Sequence, residues 1–252
     1  MEHFTKKINL SLILVFVIFL LFTSIFRNSI LFSEYTEYID ILDQSVTSDF
    51  PNGINFDLNF ISEKNIEDVK LVILVGTSKT SQYSYMDLDK LGNKIVAEYF
   101  FNSGSINNFI PPSTTIKYFY EFIFEDNSSY ISDDFLFFYH DSRFNWEEIS
   151  TEKSNVFFYD ISTELAEAVS NILDQTITEM SKLLDVNIQN TINLVMYNNK
   201  YDMNSAVTHK SKTSSEKLTI LGQAFSDEKI VIVLLDEQVF ETVNHEITHI
   251  IS

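Results

Sequence analysis

The spacing of the apolar residues changes twice along the chain, and each change limits the structure that the next segment can adopt. Around residue 54 apolar and polar residues begin to alternate, which is typical of a half-buried strand. After Tyr159 apolar residues recur three and four positions apart, which predicts an amphipathic helix over Thr163 to Leu184. The chain is therefore expected to contain a β-rich part followed by a part of mixed strands and helices.

Short strand candidates follow one another through the β-rich part, separated by turn sequences. This succession predicts an all-β immunoglobulin- or fibronectin-like sandwich, which we place at residues 49–159. Near its end, Trp146 and Arg143 suit either a binding role or a packing role, in which the Trp covers the core and the Arg pairs with a neighbouring Asp. The candidate strands are the alternating segment 54–60, Val69–Val75, Lys94–Phe101, Thr115–Phe124, Asp134–Tyr139 and Asn155–Tyr159.

An uncharged run, Ile8–Phe26, precedes the strands. As a helix it would measure about 28 Å, close to the thickness of the hydrocarbon layer of a bilayer. Lys6 and Lys7 lie before the run and acidic residues follow it, so the N-terminus is expected in the cytoplasm and the body outside it. We predict a single-pass protein of the cell membrane, with a transmembrane signal-anchor within 1–27 and a stalk at 28–48. A cleaved signal peptide and a buried soluble helix are the alternatives.

Composition argues against one class of partner and excludes one class of chemistry. The chain has 17 Lys and Arg against 36 Asp and Glu, a formal charge of −19, so nucleic acid is not an expected partner. It has no cysteine, which excludes disulfides, thiolate metal sites and cysteine nucleophiles.

The last segment carries the motif His245-Glu246-Ile247-Thr248-His249. On a helix, residues four apart share a face, so both imidazoles can reach one zinc ion. The Glu lies about 100° around the helix from the first His, where it can accept a proton from a zinc-bound water. The apolar residues of this segment fall on the other side, so the histidines point away from the buried face. The motif predicts His245 and His249 as Zn²⁺ ligands and Glu246 as the catalytic base; two histidines on a solvated face are the alternative.

The order of elements, ending in the HExxH helix, resembles that of bacterial membrane-anchored proteins with a peptidase MA-like, gluzincin-type domain. Segments 50–56, 111–118 and 141–146 are similar to stretches of their sandwich. The resemblance implies the α+β upper half of a zincin-type peptidase domain at 160–252. It also implies an extracytoplasmic zinc metallopeptidase that hydrolyses a peptide or protein substrate.

In the family that the chain resembles, the third zinc ligand comes from a later helix, whereas this chain ends three residues after His249. The resemblance therefore implies a domain truncated after the HExxH helix, a peptidase when complete and inactive as the 252-residue chain alone. The missing half would leave Ile247, Ile250 and Ile251 partly unburied. The alternative function is a non-catalytic, surface-exposed β-sandwich binding module with a vestigial peptidase half.

Overall fold

The fold is known from a computed structural model, which describes residues 38–105, 108–188, 190–208 and 220–251. Two antiparallel sheets come first. The first sheet has the order β1-β2-β6-β5, with β1 (Ile39–Asp49), β2 (Gly53–Ser62), β5 (Asp87–Leu91) and β6 (Lys94–Phe101). The second has the order β4-β3-β7-β8, with β9 also paired to β7; its strands are β3 (Ile66–Val75), β4 (Gln82–Tyr85), β7 (Thr114–Phe124), β8 (Ser129–Ile131) and β9 (Phe135–Tyr139).

These two sheets face each other and form a sandwich, because the alternating apolar residues of both turn inward. Rings from opposite sheets meet edge to face. The ring centroids of Phe56 and Tyr118 are 5.3 Å apart, and those of Phe60 and Phe122 are 4.9 Å apart. All four side chains are buried. Each such pair adds about 0.5–1.5 kcal/mol beyond the area it buries, so the sandwich is held by a layer of aromatic rings.

A third sheet follows, in the order β10-β11-β12-β14-β13. Its three inner strands are parallel, whereas β10 and β13 pair antiparallel at its edges. The strands are β10 (Glu147–Ser150), β11 (Ser154–Phe158), β12 (Ile192–Tyr197), β13 (Gly222–Phe225) and β14 (Ile230–Leu234). The helices are α1 (Thr163–Leu184), α2 (Lys200–Met203) and α3 (Val239–Ile251).

The third sheet is covered on both faces by different parts of the molecule. Helices α1 and α3 pack on one face, where they contact Leu194 and Met196 of β12. The sandwich covers the other face, which presents Val195 and Tyr197 of the same strand. Successive side chains of a strand point to opposite faces, so β12 contributes to both cores. For the same reason the continuous apolar run of β14 is buried along its whole length.

Helix α1 has the bounds that the apolar spacing predicts. Ser162 is its N-cap, since the Ser162 side-chain oxygen accepts a hydrogen bond from the backbone N–H of Leu165 at 3.3 Å. At the other end Asp185 adopts a φ of 53°, which is left-handed and ends the helix. Local sequence is therefore sufficient to place both ends of α1.

The predicted fold class is wrong as a whole. It combined a transmembrane helix, an all-β immunoglobulin- or fibronectin-like sandwich and the α+β half of a zincin-type domain. Instead, the described residues form three sheets with only three helices, so strands dominate this part of the chain. The predicted boundaries of the domains stay predictions. Strand β1 lies mostly within the segment 28–48, which the sequence predicts to be a stalk.

The prediction of a membrane span is also corrected. Within the described ranges, no helix combines the length and the apolar character needed to cross a bilayer. The predicted span, Ile8–Phe26, lies outside the described residues. The localisation in the cell membrane as a single-pass protein is therefore not supported.

The expectation of an unburied apolar face on the last helix is wrong. Ile247, Ile250 and Ile251 have exposed fractions of 0%, 6% and 7%. Helix α1 and the third sheet cover them, because all three belong to the core that these elements share. Helix α3 therefore has a complete buried face within this chain.

Candidate metal centre

Helix α3 follows β14 and turns one face to the core and one to solvent. Asp236 accepts a hydrogen bond from the backbone N–H of Gln238 at 2.8 Å just before the helix begins. Val239 and Val243 then start the buried face. This fixes the rotation of the helix, so the positions between the buried residues face outward.

The two predicted metal ligands meet on the outward face. His245 and His249 are both exposed, and their Nε2 atoms lie 3.3 Å apart. Their rings are 4.9 Å apart between centroids and nearly perpendicular, at 79°. Two imidazole nitrogens bound to one tetrahedral zinc, at Zn–N distances of about 2.0–2.1 Å, would be separated by about 3.3–3.4 Å. The separation fits a hydrogen bond between the two rings, and it also fits two ligands of one zinc ion.

The predicted base lies between the helix and the edge strand β13. Glu246 is half-buried, and its carboxylate accepts a backbone hydrogen bond from Ala224. Burial raises the pKa of Glu246, and the nearby His245 and His249 oppose that shift. A carboxylate with a raised pKa is a better proton acceptor than an exposed one.

Sequence reasoning missed the residue that makes room for this carboxylate. A Cβ atom on Gly222 of β13 would come within 2.7 Å of Glu246 Cγ and 2.6 Å of Thr242 Cγ2. Only a glycine lets the strand approach the helix so closely at this point. Gly222 is the first residue of β13, a strand that the sequence pattern does not predict, so no signal in the sequence indicated this close approach.

The third ligand expected of a complete zinc enzyme is not part of the described structure. No group of three or more His, Cys, Asp or Glu side chains comes together as a metal site within the described ranges. The description of this chain as a transmembrane zinc metallopeptidase and hydrolase of the gluzincin, peptidase MA-like type is therefore corrected. What the structure shows is a pair of histidines with one carboxylate beside it.

Trp146 and Arg143 have the packing role, on the opposite side of the third sheet. Both carboxylate oxygens of the fully buried Asp141 accept hydrogen bonds from Arg143, from Nε at 2.9 Å and from Nη2 at 2.6 Å. Tyr197 donates a third side-chain hydrogen bond to Asp141 at 2.8 Å, and Trp146 Nε1 donates to the Asp141 carbonyl at 2.8 Å. This cluster joins the sandwich to the third sheet.

A cleft of about 550 Å³ lies beside that joint, between the turn that links β1 to β2 and the segment that follows α2. The β1–β2 turn, the end of β6 and the segment after it form one wall, and the residues after α2 form the other. The sequence held no signal for this cleft, because its walls lie far apart in the chain. It is lined by Pro51, Asn52, Phe100, Asn102, Gly104, Ser105, Phe109, Asn204, Ser205, Val207 and Thr208.

Comparisons with known proteins give only remote likenesses. No family model matches the sequence, and no curated protein matches it. A carbohydrate-binding module of family 56, a β-1,3-glucan binding domain, has a TM-score of 0.24 at 18% identity, over 38% of this chain and 98% of that one. A family 64 β-1,3-glucanase from Paenibacillus barengoltzii has a TM-score of 0.26 at 19% identity, over 39% of this chain and 20% of that one.

A polysaccharide deacetylase from Bacillus cereus has a TM-score of 0.30 at 9% identity, over 67% of this chain and 54% of that one. Likenesses this distant do not decide the fold or the function of the chain. The resemblance to peptidase MA-like proteins stays a prediction, since none of these comparisons tests it.

Proposed function

We propose that the outward face of α3 is a zinc site that activates water. His245 and His249 would hold the ion, and Glu246 would be the proton acceptor beside it. The observation that carries the proposal is the distance of 3.3 Å between the two Nε2 atoms, which suits two ligands of one zinc ion. When bound, Zn²⁺ would supply a Lewis acid that lowers the pKa of a water molecule and polarises a carbonyl group.

His245, His249 and Glu246 would have different roles, which follow from their positions on the helix. The two imidazoles lie on solvent-exposed turns of the helix, where an ion can reach both Nε2 atoms. Glu246 lies on the neighbouring face, against β13, where it can take a proton from a water that enters between strand and helix. Its half-buried position keeps the carboxylate close to the helix rather than extended into solvent.

Zinc titration by calorimetry tests the proposal. We expect about one Zn²⁺ per chain, and the substitutions His245→Ala and His249→Ala should each weaken binding about tenfold or more. Glu241→Gln is the matched control, because Glu241 is exposed on the same helix one turn earlier and should leave the affinity unchanged. Zinc binding that is absent from the unaltered chain, or that survives loss of both histidines, would contradict the proposal.

We also propose that the β-sandwich serves as a binding module, as the second candidate function. It is supported by the cleft of about 550 Å³ at one end of the sandwich, whose volume lies in the range of small-ligand sites. Glu246→Gln should leave binding at this cleft unchanged, because Glu246 is not among the residues that line it. If Glu246→Gln abolished partner binding, the two functions would not be separate.

A further inference from the structure

The cleft between the sandwich and the third sheet combines neutral polar side chains with phenyl rings. Asn52 and Asn102 supply amide groups, and Ser105, Ser205 and Thr208 supply hydroxyls. Within the chain, the Asn52 amide also donates to Asp49 at 3.3 Å. The hydroxyl of Ser205 accepts from Arg143 at 3.4 Å, and that of Thr208 accepts from Gln223 at 2.5 Å. Amides both donate and accept hydrogen bonds, as do hydroxyls. A ligand with many hydroxyl groups of its own could be matched by such a lining.

The lining that the structure describes carries no charged side chain, although the chain has a formal charge of −19. None of the described residues that line it is Asp, Glu, Lys, Arg or His. A divalent cation in a protein site is usually bound by at least one carboxylate besides neutral oxygens, and an anion would be expected to meet Arg or Lys. The described part of the lining therefore favours a neutral ligand over an ionic one.

Phenyl rings give the cleft a flat apolar surface. Phe100 is 45% exposed, which is unusual for so large an apolar side chain in a chain with many buried phenylalanines. Phe109 is held in place by Phe225, since the two rings stack at 5.7 Å and 28°. A ring face that is partly open to solvent can pack against the C–H side of a sugar ring, while the sugar hydroxyls reach the amides and hydroxyls around it.

The walls are held by hydrogen bonds from behind. The backbone N–H of Gly104 donates to the Asn52 carbonyl at 3.1 Å, and a Cβ atom on Gly104 would come within 2.5 Å of the Pro51 carbonyl oxygen. On the other wall the backbone N–H of Thr208 donates to Gln223 at 2.9 Å. A cleft whose walls are fixed in advance loses less conformational entropy when a ligand binds.

We infer that this cleft binds a neutral saccharide, with a phenyl ring as its platform and the surrounding amides and hydroxyls as hydrogen-bonding partners. The inference rests on the second proposal, that the sandwich is a binding module, and it names the class of partner. It is independent of the zinc site, because none of the residues that line the cleft belongs to α3.

Calorimetric titration of the full chain with maltohexaose, cellohexaose and mannohexaose, in zinc-free buffer, tests the inference. We expect at least one of the three to bind with a Kd of 1 mM or below, that is, about −4 kcal/mol or stronger. Phe100→Ala should weaken this binding about tenfold or more. Asn102→Asp, which places a charge at an exposed position of the lining and does not disturb the core, should also weaken it. Tyr83→Ala is the control, because Tyr83 is an aromatic residue that is 64% exposed on β4 and not among the residues that line the cleft.

Two results would overturn the inference, and they differ in what they say of the second proposal. If a hexasaccharide binds equally well to the Phe100 and Asn102 variants, the saccharide site lies elsewhere, and the proposal of a binding module stands. If none of the three binds, or if a hexamer of galacturonate binds more tightly than all of them, the neutral saccharide is wrong. A partner of another class would then have to support the binding module.

Discussion

Two clusters of polar side chains lie on either side of the third sheet. They differ in how many of their hydrogen-bonding groups have partners within the chain. At the joint, the buried carboxylate of Asp141 is surrounded by donors from Arg143 and Tyr197, and both its oxygens are engaged. On α3, by contrast, the exposed His245 and His249 are within hydrogen-bonding distance of each other, with 3.3 Å between their Nε2 atoms. A cluster that is complete within the chain holds the fold together, whereas two exposed imidazoles can be reached from solvent, as the proposed zinc site needs.

The largest effect is expected when the hydrogen-bonded cluster around Asp141 is broken. Asp141→Ala should lower the free energy of unfolding by about 3–5 kcal/mol, because it leaves Arg143 and Tyr197 without their buried partner. Asp134→Ala is the matched control, since Asp134 pairs with Lys117 at the surface, where such pairs contribute about 1 kcal/mol or less. Urea denaturation measures both. Equal losses in the two variants would contradict the distinction between the joint and the surface.

The buried His140 makes the stability of the joint depend on pH. His140 lies in the aromatic joint, with Nδ1 hydrogen-bonded to Ser113 Oγ at 2.8 Å, and burial lowers the pKa of His140 to about 4. The unfolded chain takes up this proton near pH 6.5, so it binds more protons than the folded chain between about pH 6.5 and 4. Stability should therefore fall as the pH falls through this window, by about 3 kcal/mol for this residue.

Urea denaturation at a series of pH values measures this loss. The variant His140→Gln, which does not titrate, should lose correspondingly less stability over the same window, because it lacks one of the protons taken up on unfolding. An unchanged slope in His140→Gln would show that other groups account for the pH dependence.

Zinc bound by His245 and His249 should stabilise the fold. An ion that binds only the folded chain, at a concentration one hundred times its Kd, adds about 2.7 kcal/mol to the free energy of unfolding. Chemical denaturation with and without zinc should show this gain in the unaltered chain. The double variant His245→Ala, His249→Ala should show none, and an equal gain there would place the metal elsewhere.

Much of α1 and α3 could be predicted from the sequence. The recurrence of apolar residues every 3.6 positions on average involves only residues that are close along the chain. It gave both ends of α1 and the side of α3 on which His245 and His249 lie. The contacts between distant segments could not be predicted in this way. Burial of Ile247 depends on α1 and the third sheet, and the cover of β14 depends on the sandwich. The close approach at Gly222 belongs to the same class, since the single residue gave no indication of its neighbour.

The smallest expected effect concerns that approach. Gly222→Ala should lower the free energy of unfolding by about 1 kcal/mol, because the new methyl group meets Thr242 and Glu246 at less than 3 Å. The double variant Gly222→Ala, Thr242→Ala removes one of the two collisions and should recover part of the loss. Thermal unfolding of the three proteins measures this. A single variant as stable as the unaltered chain would mean that strand and helix separate easily.

The most direct test of the zinc site is X-ray absorption at the zinc edge on the zinc-loaded chain. The account predicts two imidazole nitrogens at about 2.0–2.1 Å from the metal, and their loss in the variant that lacks both His245 and His249. A spectrum without imidazole ligands, or one that the double variant reproduces, would contradict it.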